Sequence, residues 1–179
     1  MQVMDSKTRI RMIMGQRNQF LMAARAEIGT IEGPKDNETK YGAFTKANFK
    51  PWCGSFVMWC ANEVGLKIPN VVSTTDGAQK FQGTGRWANA ETAKPAPGDL
   101  AFFDFAEGGN PIDHVGIVVR DNGDGTIVTI EGNTSGDKKK STSERNGGEV
   151  VQKVRAYRTD NKKGLKLFIV GFGSPKFKD

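Results

Sequence analysis

The chain is poor in the residues on which most metal and redox chemistry depends. Among 179 residues there is one histidine, His114, and two cysteines, Cys53 and Cys60. A site that needs two imidazoles, such as that of the H-E-x-x-H zinc proteases, is therefore excluded. The Cys-x6-Cys spacing also lacks the close C-x-x-C pairs of zinc knuckles, so no metal site is expected. If both cysteines share a helix, their Cα atoms lie roughly 10 Å apart at about 1.5 Å per residue, too far for a disulfide, and both thiols are expected free. Long apolar runs are missing as well. Stretches such as residues 115–119 fall far short of the length that crosses a bilayer, so no membrane insertion is expected. Residues 1–14 alternate Lys7, Arg9 and Arg11 with isolated apolar side chains and have no small-residue cleavage site. No signal peptide is expected.

What is present describes a loop-rich globular protein of one domain: 37% apolar and 26% charged residues, with 22 glycines and 7 prolines. The formal charge of +6 is unevenly placed. Residues 137–179 hold 12 Lys+Arg against 5 Asp+Glu, net +7, and the remaining 14 and 15 give −1. A basic C-terminal quarter favours polyanions such as nucleic acid or an anionic cell wall, unless it is simply a solvated lysine surface.

Apolar residues at spacings near three and four, from Ile10 to Ile28, predict an amphipathic helix over residues 6–28, interrupted near Gly15 and ended by Gly29. Residues 32–48 read as an irregular loop with Tyr41 and Phe44 tucked in. A second helix follows, with Pro51 in its first turn, Gly65 just past its end, and Cys53, Phe56, Val57, Cys60 and Val64 as one stripe. Residues 71–94 read as a loop carrying a short helix near 76–82. After Pro95 the period changes to that of strands, at 99–105, 113–120, 126–131, 149–157 and 167–172, with a glycine-rich hairpin at 121–125. Helices first and antiparallel strands afterwards is an α+β pattern. Residues 135–148 form a polar excursion within the sheet.

Three segments bear on chemistry. Cys53 lies in the first turn of the second helix, where backbone N–H groups lack intrahelical partners and the macrodipole is positive, a setting that lowers a thiol pKa and can hold an oxyanion. The plainer reading is a small core residue, and it is the favoured one for Cys60, two turns deeper. His114 opens a strand in which alternation places His114, Gly116 and Val118 on one face, Gly116 leaving room beside the ring for a helix terminus or substrate. The next strand ends Ile130-Glu131-Gly132-Asn133. Glu131 and Asn133 are two apart, so either can accept the imidazole N–H and fix its tautomer.

Together, Pro51-Trp52-Cys53-Gly54-Ser55-Phe56, Pro97-Gly98-Asp99-Leu100-Ala101-Phe102-Phe103, Asp113-His114-Val115-Gly116-Ile117-Val118 and Ile130-Glu131-Gly132-Asn133-Thr134 resemble the CHAP family of cysteine, histidine-dependent amidohydrolases and peptidases. The resemblance runs from about Thr30 to Phe172. It implies a papain-like α+β fold of NlpC/P60 type, with N-terminal helices packed on an antiparallel sheet. Residues 1–29 would be a helical segment and 30–179 the catalytic domain. It further implies a peptidoglycan amidase or endopeptidase with Cys53 as nucleophile and His114 as general base, Glu131 orienting the imidazole and Asn133 assisting. Tyr41, Trp52 and Trp87 could line a substrate groove or equally belong to core and loop packing. The aspartate pair that binds calcium in some relatives is missing from residues 41–52, so no cofactor is expected. The rival reading is a catalytically inactive wall- or protein-binding module on the same fold. A nucleic-acid partner is not expected, because no recognition helix or aromatic ribbon motif is present. A phage lysin, held in the host cytoplasm before release to the wall or carried in the virion, fits the sequence. The N-terminal helix would pack on the catalytic domain or dock a phage structural partner.

Overall fold

The computed structural model describes residues 14–107, 109, 111–139 and 141–178. Among the described residues four α-helices come first: α1 (Gln16–Ala26), α2 (Lys40–Phe44), α3 (Cys53–Glu63) and α4 (Thr74–Gly83). They are followed by β1 (Trp87–Asn89), a 3-10 turn (Ala90–Thr92), β2 (Leu100–Phe103), β3 (His114–Asp121), β4 (Thr126–Thr134), β5 (Glu149–Ala156) and β6 (Ile169–Gly173). The six strands form one antiparallel sheet in the order β1-β6-β2-β3-β4-β5. The α+β architecture is the expected one, and each of the five strands anticipated from periodicity is present.

The sheet separates two apolar layers, as strand alternation requires. On one face Leu100, Phe102, Val115, Ile117 and Ile130 pack against Phe20 and Leu21 of α1, Phe56 and Val57 of α3 and Phe81 of α4. On the other, Ala101, Phe103, Val118, Ile127 and Phe172 form a second cluster with Phe105 and Tyr157. Phe56 and Val57 are fully buried, which by area contributes about 1.5–3 kcal/mol for each side chain. Helix α3 rests on β3 and β4 at close range. A Cβ on Gly132 of β4 would come within 2.7 Å of the Phe56 side chain, and one on Gly54 within 2.0 Å of the Val71 carbonyl, so Gly132 makes room for the α3 aromatics and Gly54 lets backbone approach backbone.

The boundaries of α3 follow from local chemistry. Its C-terminus is a Schellman motif: Gly65 adopts φ +63°, its N–H bonds the Asn62 carbonyl, and the Leu66 N–H bonds the Ala61 carbonyl. At the other end Trp52 is the N-cap and Cys53 the first helical residue, so Pro51 precedes the helix rather than lying in its first turn. Two short elements escaped the sequence reading. Helix α2 is one turn capped by the Thr39 hydroxyl, which accepts the Gly42 N–H at 2.9 Å, and β1 is three residues long. In the α2 region Tyr41 is buried as expected, whereas Phe44 is 44% exposed. The described part of the first helix begins after Gly15, and residues 6–13 of the expected helix lie outside the described residues. No described helix is long and apolar enough to cross a membrane.

Candidate active site

The start of α3 and the starts or middles of three adjacent strands converge. Cys53 is the first residue of α3, and the backbone N–H groups of Gly54 and Val115 favour its ionised form. Burial alone would push this thiol up, since only 3% of the residue is exposed. The charge and hydrogen-bonding capacity of His114, with those two backbone donors, overcome burial, and the net direction is down.

His114, fully buried, opens β3. The chain leading to it is pinned on both sides. The Thr74 and Thr75 hydroxyls of α4 donate to the Ile112 carbonyl at 2.7 and 3.1 Å. The Asp113 carboxylate accepts the Phe105 and Glu107 N–H groups at 3.0 and 3.1 Å. The ring packs against Phe103 and Phe105, each with centroids 5.4 Å away. Nε2 faces Glu131 Oε2 at 3.1 Å, which leaves Nδ1 for the thiol. Nδ1 makes no aligned hydrogen bond in this resting arrangement, although thiol and imidazole perturb each other strongly. Burial disfavours the imidazolium, yet Cys53 and then Glu131 more than offset it, and the pKa rises to about 9. A lowered thiol beside a raised imidazole is the signature of a thiolate–imidazolium pair.

Glu131, on β4 directly opposite Gly116 of β3, is also fully buried. Its Oε1 accepts the Thr129 hydroxyl at 2.5 Å and Arg155 Nε at 2.9 Å, and its Oε2 accepts Arg155 Nη2 at 2.7 Å. Burial opposes ionisation here, but Arg155 and then His114 hold the carboxyl well below the usual carboxylate range. Gly116 is explained by this side chain: a Cβ there would lie 2.6 Å from Glu131 Cγ. The room expected beside the ring for a helix terminus or substrate is taken by Glu131.

The other expected site residues are not brought together with these three. Asn133 does not share Glu131's environment, because the β4–β5 register shifts between Glu131 and Thr134 and Asn133 sits at φ +59°. Its carboxamide donates to Asn37 and Asn146, both at 3.1 Å, and accepts the Gly148 N–H at 3.1 Å, closing the 135–148 loop rather than assisting the imidazole. Tyr41 and Trp52 are fully buried and stacked with centroids 5.3 Å apart, so they are core rather than groove. The Tyr41 hydroxyl donates to the Glu27 carboxylate and Trp52 Nε1–H to Glu32 Oε2 at 3.1 Å. Trp87 lies on β1, separated from β3 by β6 and β2, where it packs on Phe102.

Two contacts escaped the sequence reading. Thr129 could have been found, since it precedes Glu131 by two residues on the same strand face. Arg155 carried no such signal, because its partner is on a neighbouring strand. Among the described residues no group of three or more His, Cys, Asp or Glu is placed to hold a metal ion.

Residues 45–133, which include Cys53, His114 and Glu131, match the CHAP domain family. No curated protein sequence matches the chain. Among solved structures, an NLP/P60-family protein similar to lipoprotein from Staphylococcus aureus subsp. aureus Mu50 aligns at 14% identity and TM-score 0.47, over 96% of this chain and 43% of that one. Ly7917 aligns at 16% identity and TM-score 0.49, and its structure with the hydrolyzing product of MDP at 16% and 0.50, each over 89% of this chain. The chain spans 62% of the Ly7917 chain. At such identity the likeness is one of fold.

Proposed function

Because residues 45–133 constitute a CHAP domain, we propose that the chain hydrolyses an amide bond of peptidoglycan by cysteine acyl transfer. The observation that carries this reading is the polarity of the Cys53–His114–Glu131 line: the carboxylate takes Nε2, so Nδ1 is presented to the thiol at a helix N-terminus. The Cys53 thiolate attacks the carbonyl carbon of a stem-peptide or cross-bridge amide. The oxyanion is stabilised by first-turn amides of α3, whose first internal bond is Phe56 N–H to the Trp52 carbonyl. The imidazolium passes its Nδ1 proton to the departing amine, which leaves as the C–N bond breaks. The neutral imidazole then takes a proton from water. The hydroxide so formed attacks the thioester, releasing the acid and restoring thiolate and imidazolium. Glu131 keeps the ring in the tautomer and orientation this exchange needs.

The finer assignments belong to the same reading. The chain acts as a lysin of phage origin that reaches the wall from the host cytoplasm or the virion; because Phe20, Leu21 and Ala24 of α1 are buried in the core, a phage structural partner of the N-terminal segment would meet only its outward side. Digestion of purified peptidoglycan, followed by mass spectrometry of the new amino termini, tests the reaction. New termini that appear with the parent and vanish with Cys53→Ala support it; walls left intact by the parent chain contradict it.

A further inference from the structure

The line from Cys53 to Glu131 continues across the sheet. Helix α3 supplies Cys53, β3 His114, β4 Glu131 and β5 Arg155. Beyond Arg155, Nη2 also donates to Glu144 Oε2 at 2.6 Å, in the 135–148 loop. The guanidinium lies over the same two rings that flank His114, 5.6 Å from the centroid of Phe103 and 5.1 Å from that of Phe105. Its side chain is 11% exposed. A carboxylate offers about four lone-pair directions. At Glu131 all four are filled: Thr129 hydroxyl, Arg155 Nε, Arg155 Nη2 and His114 Nε2. Two of the four donors belong to one planar fork, so Arg155 decides the plane in which the carboxylate lies.

We propose that Arg155 is a positioning residue for the Cys53–His114 reaction, its fork fixing the Glu131 carboxylate for His114 Nε2–H and its charge balancing that carboxylate beside the thiolate–imidazolium pair. This rests on the function proposed above. With the pair formed, thiolate, imidazolium, Glu131 and Arg155 sum to zero. The other charged groups around the line are Glu144 and Lys153, 3.5 Å apart, with Glu107 and Asp113 engaged by backbone amides. Removing a cation from this set raises every neighbouring acid's pKa. Without Arg155 the thiol ionises at higher pH and the imidazolium keeps its proton to higher pH, so both limbs of a pH profile move to the alkaline side.

The test compares R155M, R155K, E144Q and K153M with the parent, reading wall lysis and, without any substrate, the pH dependence of Cys53 alkylation by iodoacetamide. R155M is expected to lose kcat by about 10- to 100-fold, with KM within about two-fold, and to shift the alkylation profile up by about one pH unit. R155K, which keeps the charge without the fork, returns the profile to its parental position but recovers only part of kcat. E144Q removes a negative charge and shifts the profile by a smaller amount in the acid direction. K153M, which removes a cation that pairs with Glu144 and does not touch Glu131, shifts the profile to the alkaline side by clearly less than R155M. A cooperatively melting R155M with parental kcat and profile overturns the proposal, as does an equal shift in R155M and K153M. Should R155M fail to fold, R155K and E144Q decide: an R155K protein with parental kcat, or an E144Q profile on or alkaline of the parent's, contradicts the proposal. Cys53→Ala separates the two readings, since retained lysis there fells the proposed function itself, whereas loss there with a silent Arg155 fells this inference alone.

Discussion

The two ends of α3 carry the same functional group in nearly the same burial, yet their chemistry diverges. Cys53 is 3% exposed and Cys60 fully buried, and desolvation is the largest influence on each. At Cys53 the specific partners are an imidazole and two backbone N–H donors, which turn the net shift downward. At Cys60 they are the carboxylates of Glu27 and Glu63, which add to burial and hold the thiol well above its usual value. What separates a lowered thiol from a raised one on one helix is therefore the sign of the neighbouring charge and the position along the helix, not exposure.

The sharpest way to break this comparison is to delete each sulfur. Cys53→Ala is expected to cost at least about 10⁴-fold in wall lysis with the thermal midpoint little changed, whereas Cys60→Ser, once folded, keeps lysis near the parent level. A Cys60→Ser protein as inactive as Cys53→Ala would erase the distinction. Gly116→Ala tests the next layer without touching a reacting atom. Its Cβ meets Glu131 Cγ, so the carboxylate must move and turnover should fall by about 10²-fold, measured as kcat at unchanged KM. Exhaustive chelation is expected to leave lysis intact, as neither partner of the Cys53–His114 pair needs an ion. Recovery of a chelated protein only on adding calcium or zinc would contradict that.

The smallest expected effect concerns the basic quarter. Lys139 is paired with Glu32, and Lys138 donates to the Gly29 carbonyl at 2.8 Å, so these residues secure the 135–148 loop instead of forming a free cationic face. Lys162, Lys163 and Lys166 are exposed. Replacing these three with Gln should weaken co-sedimentation with walls by about two- to five-fold at low salt, and the difference should vanish as the Debye length falls from about 10 Å at 0.1 M to about 3 Å at 1 M. Salt-insensitive binding, equal in both proteins, would make this an ordinary solvated surface.

Much of the fold, and the residues that the structure brings together at Cys53, was legible in the sequence. Period-two alternation marked the strands, Cys53 and His114 each stood at an element boundary whose geometry follows from local rules, and Glu131 lay on the strand that follows. What was hidden depends on contacts between distant segments. Alternation places Asn133 beside Glu131, but a register shift and a left-handed backbone turn it toward Asn37. Gly116 showed that something needs room without showing that the claimant is Glu131. Tyr41 and Trp52 are aromatic whether they face a groove or each other, and only the packing of α2 on α3 decides. Arg155 and Glu144 pair across a strand and a loop, a distance that no periodicity encodes.

The account stands most directly on the ionisation of Cys53, and alkylation with peptide mass spectrometry reads it at both cysteines in one experiment. The His114 imidazolium, with its pKa raised to about 9, keeps its proton across neutral pH and favours the thiolate there, then loses both proton and influence above that value. Cys53 should therefore be modified with a midpoint below the ordinary thiol range of about 8.5, while Cys60 stays unmodified in the folded protein. In His114→Ala burial is left without its main opponent, and the Cys53 midpoint should move above the ordinary value. A Cys53 midpoint at or above that range in the parent, unchanged by His114→Ala, would contradict the account.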